Sequence, residues 1–166
     1  MMRELEKISP EYHEIIKQHL SNVPVKMGQL ARDLGLEVKS ATLKPGISGM
    51  IKKADTKAGF EIKVNRHESP YRQRFTIAHE IAHFLLHADW IGDGVEDSIL
   101  YRSPKMGDSR EAEANRLAAD LLMPRKLVRD YLMRLGGEIN SNTAKVLAER
   151  FQTSEDAMRV RIGAPR

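Results

Sequence analysis

The feature that most constrains this chain is a stretch from Ser69 to Ala88 in which histidines recur at helical spacing inside an otherwise apolar run. Ser69 followed by Pro70 makes a helix start, since proline suits the first helical position, where no amide proton is needed. The sequence YRQRFTIAHEIAHFLLHA continues without Gly or Pro, which predicts about five turns at 3.6 residues each. Phe75, Ile77, Ala78, Ile81, Ala82, Phe84 and Leu85 cover more than one face, so the helix is expected to be central and buried. Imidazoles in such a setting need partners.

Two of them frame His79-Glu80-Ile81-Ala82-His83, the HExxH pattern. Positions four apart on a helix share a face and lie about 6 Å apart along the axis, so both rings can close on one metal ion. Glu80 follows the first histidine and is placed to act as general base toward a water on that ion. His87 lies eight residues from His79, about 12 Å along an unbroken helix, too far for all three rings to share one ion. It is expected to support a ligand ring or to sit as a satisfied helix-end histidine. A third ligand must then come from another element. The segment Ser109 to Met123 reads as a helix ending at Pro124 and offers both Glu111 and Glu113. Glu111 also fits a capping box with Asp108, and spacing alone does not choose between the two acids.

The chain has 166 residues, six histidines and no cysteine. Disulfides, cysteine-ligated metals and a cysteine nucleophile are excluded, so His, Asp and Glu must hold any metal. The lack of cysteine suits a reducing cytoplasm, and no apolar run approaches the roughly 18 to 20 residues of a membrane span. A single domain over 1–166 is expected, with an N-terminal helical segment (1–25), a core (26–124) and C-terminal helices (125–166). Within it, helices are read at 10–20, 26–34, 125–135, 141–151 and 154–162. Strands are read at 36–43, 47–53 and 59–64, and short connections containing Gly46 and Gly59 favour an antiparallel three-stranded meander. Residues 89–108, rich in Gly and Asp, read as a long loop at a functional rim. The fold class is therefore α+β, with a small antiparallel sheet packed on a central HExxH helix and a C-terminal helical segment.

RFTIAHEIAHFLLH (74–87) followed by EAEANRLAADLLMP (111–124) closely resembles the ImmA/IrrE family of metallopeptidases, the M78 peptidases. The likeness extends upstream through a helix ending in LGLEV, the pair Ser48-Gly49 and the segment Ile62 to Asn65, covering about residues 26–162. It implies a zinc-dependent endopeptidase of the gluzincin arrangement, with manganese as the alternative ion. The family's downstream motif E-x-x-A-N-x-x-A-x-x-L-L-M-P places Glu111 at its first position and Glu113 at a variable one, which favours Glu111 as ligand. Asn115 would stand one turn later, able to hydrogen-bond a ligand or position its helix. Ala82 and Leu117 depart from the Gly and Phe of the commonest form, small changes beside the site. His87 and Tyr101 are the candidates to donate to a developing oxyanion.

The resemblance also implies a protein substrate, a helix-turn-helix repressor of the XRE or phage type encoded nearby, whose cleavage derepresses genes. Charge is consistent with partner docking: residues 39–74 hold 9 basic against 3 acidic side chains, and 88–108 hold 5 acidic against 2 basic. The net +4 arises wholly from 125–166, with 9 basic and 5 acidic residues. There Ala148 to Ile162 has a helix-turn-helix rhythm, so DNA binding is one rival reading and packing on the core is the other. A third reading is a toxin-antitoxin or regulatory binding component with a structural or weakly active metal site. No membrane partner is expected.

Overall fold

The computed structural model describes residues 3–92, 94–97 and 108–165. Two single 3-10 turns, Leu5–Lys7 and Pro10–Tyr12, lead into α1 (His13–His19) and α2 (Met27–Asp33). Strands β1 (Glu37–Ala41), β2 (Gly49–Lys53) and β3 (Phe60–Asn65) precede the long helix α3 (Pro70–Ile91). After β4 (Gly94–Asp97) come α4 (Asp108–Leu122), α5 (Arg125–Arg134), α6 (Ser141–Phe151) and α7 (Glu155–Ile162).

The α+β class is as the pattern implied, but the sheet is not an antiparallel meander of three strands. It has four strands in the order β1-β3-β2-β4, and β1 runs parallel to β3. Only β2 and β3 form an expected hairpin, joined by residues 54–59 and closed by Ala54 donating to the Gly59 carbonyl, with Gly59 at φ +83°. A side chain at that φ would be strained, which is why glycine stands there. The β1–β2 connection, residues 42–48, carries the chain past one strand position. That leaves room for β3 at the centre, where Ile62 is fully buried. The fourth strand lies inside the segment read as a loop. Its partner is β2, and the pairing is antiparallel. The acidic, glycine-containing Gly94–Asp97 has none of the β-branched alternation that marks a strand, apart from Val95.

Helix α3 lies against β2 and β3 on one side and packs along α4 on another. Ser69 caps it, accepting from the Arg72 amide at 3.3 Å, with Pro70 at its start. Ala78 and Ala82 on α3 and Ala114 and Ala118 on α4 are completely buried, and side chains this small permit a close helix approach. Sheet and helix also meet closely at Gly49. A Cβ there would fall 2.3 Å from Thr76 Cγ2 and 2.9 Å from the Lys63 carbonyl oxygen, so only glycine lets β2 lie this near α3.

The C-terminal helices fasten to the same helix. Arg74 of α3 donates to the carbonyls of Val25 (2.9 Å), Gln152 (3.1 Å) and Phe151 (3.4 Å), gripping the end of α6 and the turn that follows. Arg161 of α7 is held by Asp120 at 2.6 Å and by the Met123 carbonyl at 2.9 Å. Leu147, Phe151 and Met158 are buried in the core.

Within the sheet, the Glu61 carboxylate on central β3 bridges Lys39 of β1 at 3.0 Å and Lys52 of β2 at 3.3 Å. The Lys39 hydrogen bond, helped by Lys52, outweighs the upward push of burial and holds the Glu61 pKa below its ordinary value. A carboxylate lowered on folding adds stability that is complete above its unfolded pKa, about 4.3, and is lost as pH falls through the folded value. Glu61→Gln is expected to destabilise the protein at pH 7, with the gap to wild type closing below about pH 4 in urea denaturation. A gap that stays constant with pH would contradict this role.

Candidate metal centre

His79, Glu80 and His83 lie near the middle of α3, and all three side chains are buried. Their neighbours on this helix explain the placement, since Ala78, Ile81 and Ala82 are wholly inside the core and draw the polar residues in with them. Helix α4 begins at Asp108, which puts Glu111 in its first turn. Glu111 Oε2 lies 3.2 Å from His79 Nε2, and Oε1 lies 3.2 Å from His83 Nε2. The two imidazole Nε2 atoms are 3.1 Å apart. Glu111 therefore turns toward the histidines.

These three side chains offer donor atoms all within 4.8 Å of one another. Tetrahedral donors at bonds of about 2.0 to 2.1 Å stand roughly 3.3 to 3.4 Å apart. The two imidazole nitrogens, and each of them with its nearer Glu111 oxygen, stand within a few tenths of that; because the histidines meet different oxygens, a small divalent ion would be held by both carboxylate oxygens or after a modest turn of the carboxylate. Electrostatics agree. Burial pushes the Glu111 carboxyl up, but hydrogen bonds and charge from His79 and His83 outweigh it and hold the group well below the carboxylate range.

Glu113, the competing acid, is elsewhere. Its Oε2 binds Lys7 Nζ at 2.6 Å, and its Oε1 lies 3.9 Å from His87 Nε2. Helical spacing does not separate the two acids, since fully buried Ala114 and Ala118 follow Glu111 at three and seven residues while fully buried Leu117 and Leu121 follow Glu113 at four and eight.

His87 Nδ1 lies 3.0 Å from His83 Nδ1, on the side of that ring away from the cluster. The helix is not continuous there: His87 has φ −131° and ψ 23°, a kink after which the helix runs on to Ile91. Neither Gly nor Pro marks this break in the sequence. Burial, together with the nearby His83, lowers the His87 pKa to about 4, so the ring is neutral at pH 7. Asn115 is exposed on α4. Tyr101 lies outside the described residues.

Four contacts around the centre have no motif to announce them. Phe75, one turn before His79, stacks on its ring with centroids 6.2 Å apart. Arg110 covers the Trp90 ring at 3.5 Å and so joins the end of α3 to the start of α4. At the N-terminus, Glu4 accepts from Arg116 at 3.0 Å and Lys7 pairs with Glu113, laying the first residues along α4.

A buried His-His-Glu cluster, shared by two helices under a mixed sheet, defines an α+β protein equipped to hold a metal ion. The family model for Peptidase_M78, described as the IrrE N-terminal-like domain, matches residues 33–163. The chain belongs to that family. Among curated proteins it is 39% identical over 94 residues to the radiation response metalloprotease IrrE of Deinococcus deserti, covering 53% of this chain and 29% of the relative. It is 35% identical over 95 residues to the protein of the same name from Deinococcus radiodurans, covering 57% of this chain and 27% of that one. The chain thus spans less than a third of the length of either relative.

Metal content by elemental analysis tests the cluster directly. His79→Ala, His83→Ala and Glu111→Ala are each expected to lose stoichiometric binding of a divalent ion, while Glu113→Ala keeps it. Retention in the first three, or loss in the fourth, would overturn this assignment.

Proposed function

We propose that the chain is a zinc-dependent endopeptidase that cuts a protein partner, a helix-turn-helix repressor, and so derepresses the genes it silences. The observation carrying this reading is the His79, His83 and Glu111 cluster with Glu80 buried beside it, in a chain of the M78 family. The arrangement is that of a gluzincin, with manganese as the alternative ion. Its site of action would be the cytoplasm, where a DNA-bound repressor is found.

Three protein ligands suit zinc with one position left open, and the ion when bound supplies Lewis acidity and lowers the pKa of water to about 7. The remaining work falls to side chains. Glu80 takes a proton from the attacking water and delivers it to the amine nitrogen as the C–N bond breaks, so the elements of water add across the peptide. His83 must keep its Nε2 lone pair for the ion, which puts its proton on Nδ1 and makes His87 Nδ1 the acceptor. The proton of neutral His87 then sits on Nε2, facing the Glu113 carboxylate. In this way His87 orients a ligand ring. With its one proton turned toward Glu113, His87 is not placed to donate to an oxyanion, which leaves Tyr101 as the proposed partner and Asn115 as a support for α4.

Substrate would lie along the sheet edge. Among the described residues β4 pairs on one side only, with β2, and an extended segment could add to its free side.

Coexpression with candidate repressors tests the reading. Glu80→Gln is expected to keep its metal and to lose about 10² to 10⁴ in cleavage rate, the usual loss of a general base. Identical cleavage by both proteins would sink the mechanism. No cleavage by metal-loaded wild type would leave a regulatory binding component as the reading.

A further inference from the structure

We infer that a cavity beside the metal centre is a specificity pocket for a large, uncharged apolar side chain next to the scissile bond, and that the C-terminal helices complete it. This rests on the peptidase reading above. The cavity, of about 400 Å³, lies between the first turns of α3, the end of α4 and the turn joining α6 to α7. Volumes of this order accommodate ligand groups, and a single bulky side chain fits within it.

Its link to the chemistry is Phe75. That ring lines the cavity and also stacks on His79, so the pocket starts four residues, about 6 Å along the helix, before the first histidine of the cluster. Consecutive residues of a peptide are 3.8 Å apart at Cα, so a bond held over His79, His83 and Glu111 leaves a flanking side chain within reach of that turn. Tyr71, Leu122, Met123 and Ala157 supply the remaining apolar wall. Arg72 lies on the same wall and disfavours a cationic occupant.

A second observation also points to a ligand. Thr153, only 5% exposed, lines the cavity, and its Oγ1 has no hydrogen-bond partner among the described residues. Buried hydroxyls are ordinarily satisfied; this one is closed to solvent in the empty pocket and would reach the main chain of a bound peptide by rotation of the Thr153 side chain about χ1. Thr153 is placed by Arg74, which grips the two preceding carbonyls from the metal-bearing helix itself. The turn that gives the tail its helix-turn-helix rhythm is thereby part of the pocket wall.

The test uses the metal-loaded full chain and a proteome-derived peptide library, with cleavage sites read by mass spectrometry and metal content measured in every variant. Wild type is expected to prefer large apolar residues at one position flanking the cut and to reject Lys and Arg there. Ala157→Leu fills the cavity and is expected to shift that preference toward Gly, Ala and Ser at least tenfold. Tyr71→Ala, at an exposed site tolerant of change, is expected to relax the preference. Thr153→Val is expected to lower kcat/KM for all peptides about tenfold while leaving the preference unchanged. The same preference in wild type, Ala157→Leu and Tyr71→Ala would overturn the pocket.

If metal-loaded wild type cuts nothing, the peptidase reading fails separately, and binding decides the pocket. Peptides with a large apolar residue are then expected to shift the Met123 methyl resonance in wild type and not in Ala157→Leu, and no shift in wild type overturns the proposal.

Discussion

The centre of this structure is one buried carboxylate held between two imidazoles. Glu111 meets His79 and His83 at 3.2 Å each from a helix some thirty residues further along the chain. Such a contact tolerates little error, because a buried polar group that misses its partners is costly. Much of the surrounding architecture bears on the register of α4 against α3. Fully buried alanines permit the close approach, Arg110 on Trp90 joins the two helices at the end near the cluster, and Glu4 and Lys7 bind α4 from outside. On the sheet side, Gly49 lets β2 press against Thr76, three residues before His79.

The C-terminal helices belong to this arrangement. Arg74 on α3 and Arg161 on α7 reach carbonyls at the turn after α6 and at the end of α4, so the tail is tied to both helices that carry the cluster. Part of the basic excess that suggested nucleic acid is occupied within the fold: Arg161 binds Asp120, and Arg159 binds Glu155 at 2.8 Å. The positive tail therefore has a structural use independent of any external partner.

What could be read in advance was whatever local periodicity carries. The helix bearing HExxH was legible because its apolar spacing, its Ser-Pro start and its histidines all agree. Glu111 was favoured over Glu113 by its place at the head of the E-x-x-A-N motif and not by helical spacing, which fits both acids. Strand order was not legible, since three short alternating strands do not encode whether the first pairs with the second or passes over it. Gly94–Asp97 is a strand because β2 presents an edge to it, a non-local cause that leaves little trace in its own residues. The kink at His87 lacks Gly and Pro, and only the structure shows that its ring meets His83. Lys7 and Glu113 lie 106 residues apart, beyond any local pattern.

The most direct measurement of the central claim is a crystal structure of the zinc-loaded chain with anomalous data collected on both sides of the zinc absorption edge. The account predicts one zinc site, bound by His79 Nε2, His83 Nε2 and the Glu111 carboxylate, with α3 and α4 in their present register. A zinc peak elsewhere, none at these residues, or Glu113 in place of Glu111 would contradict it.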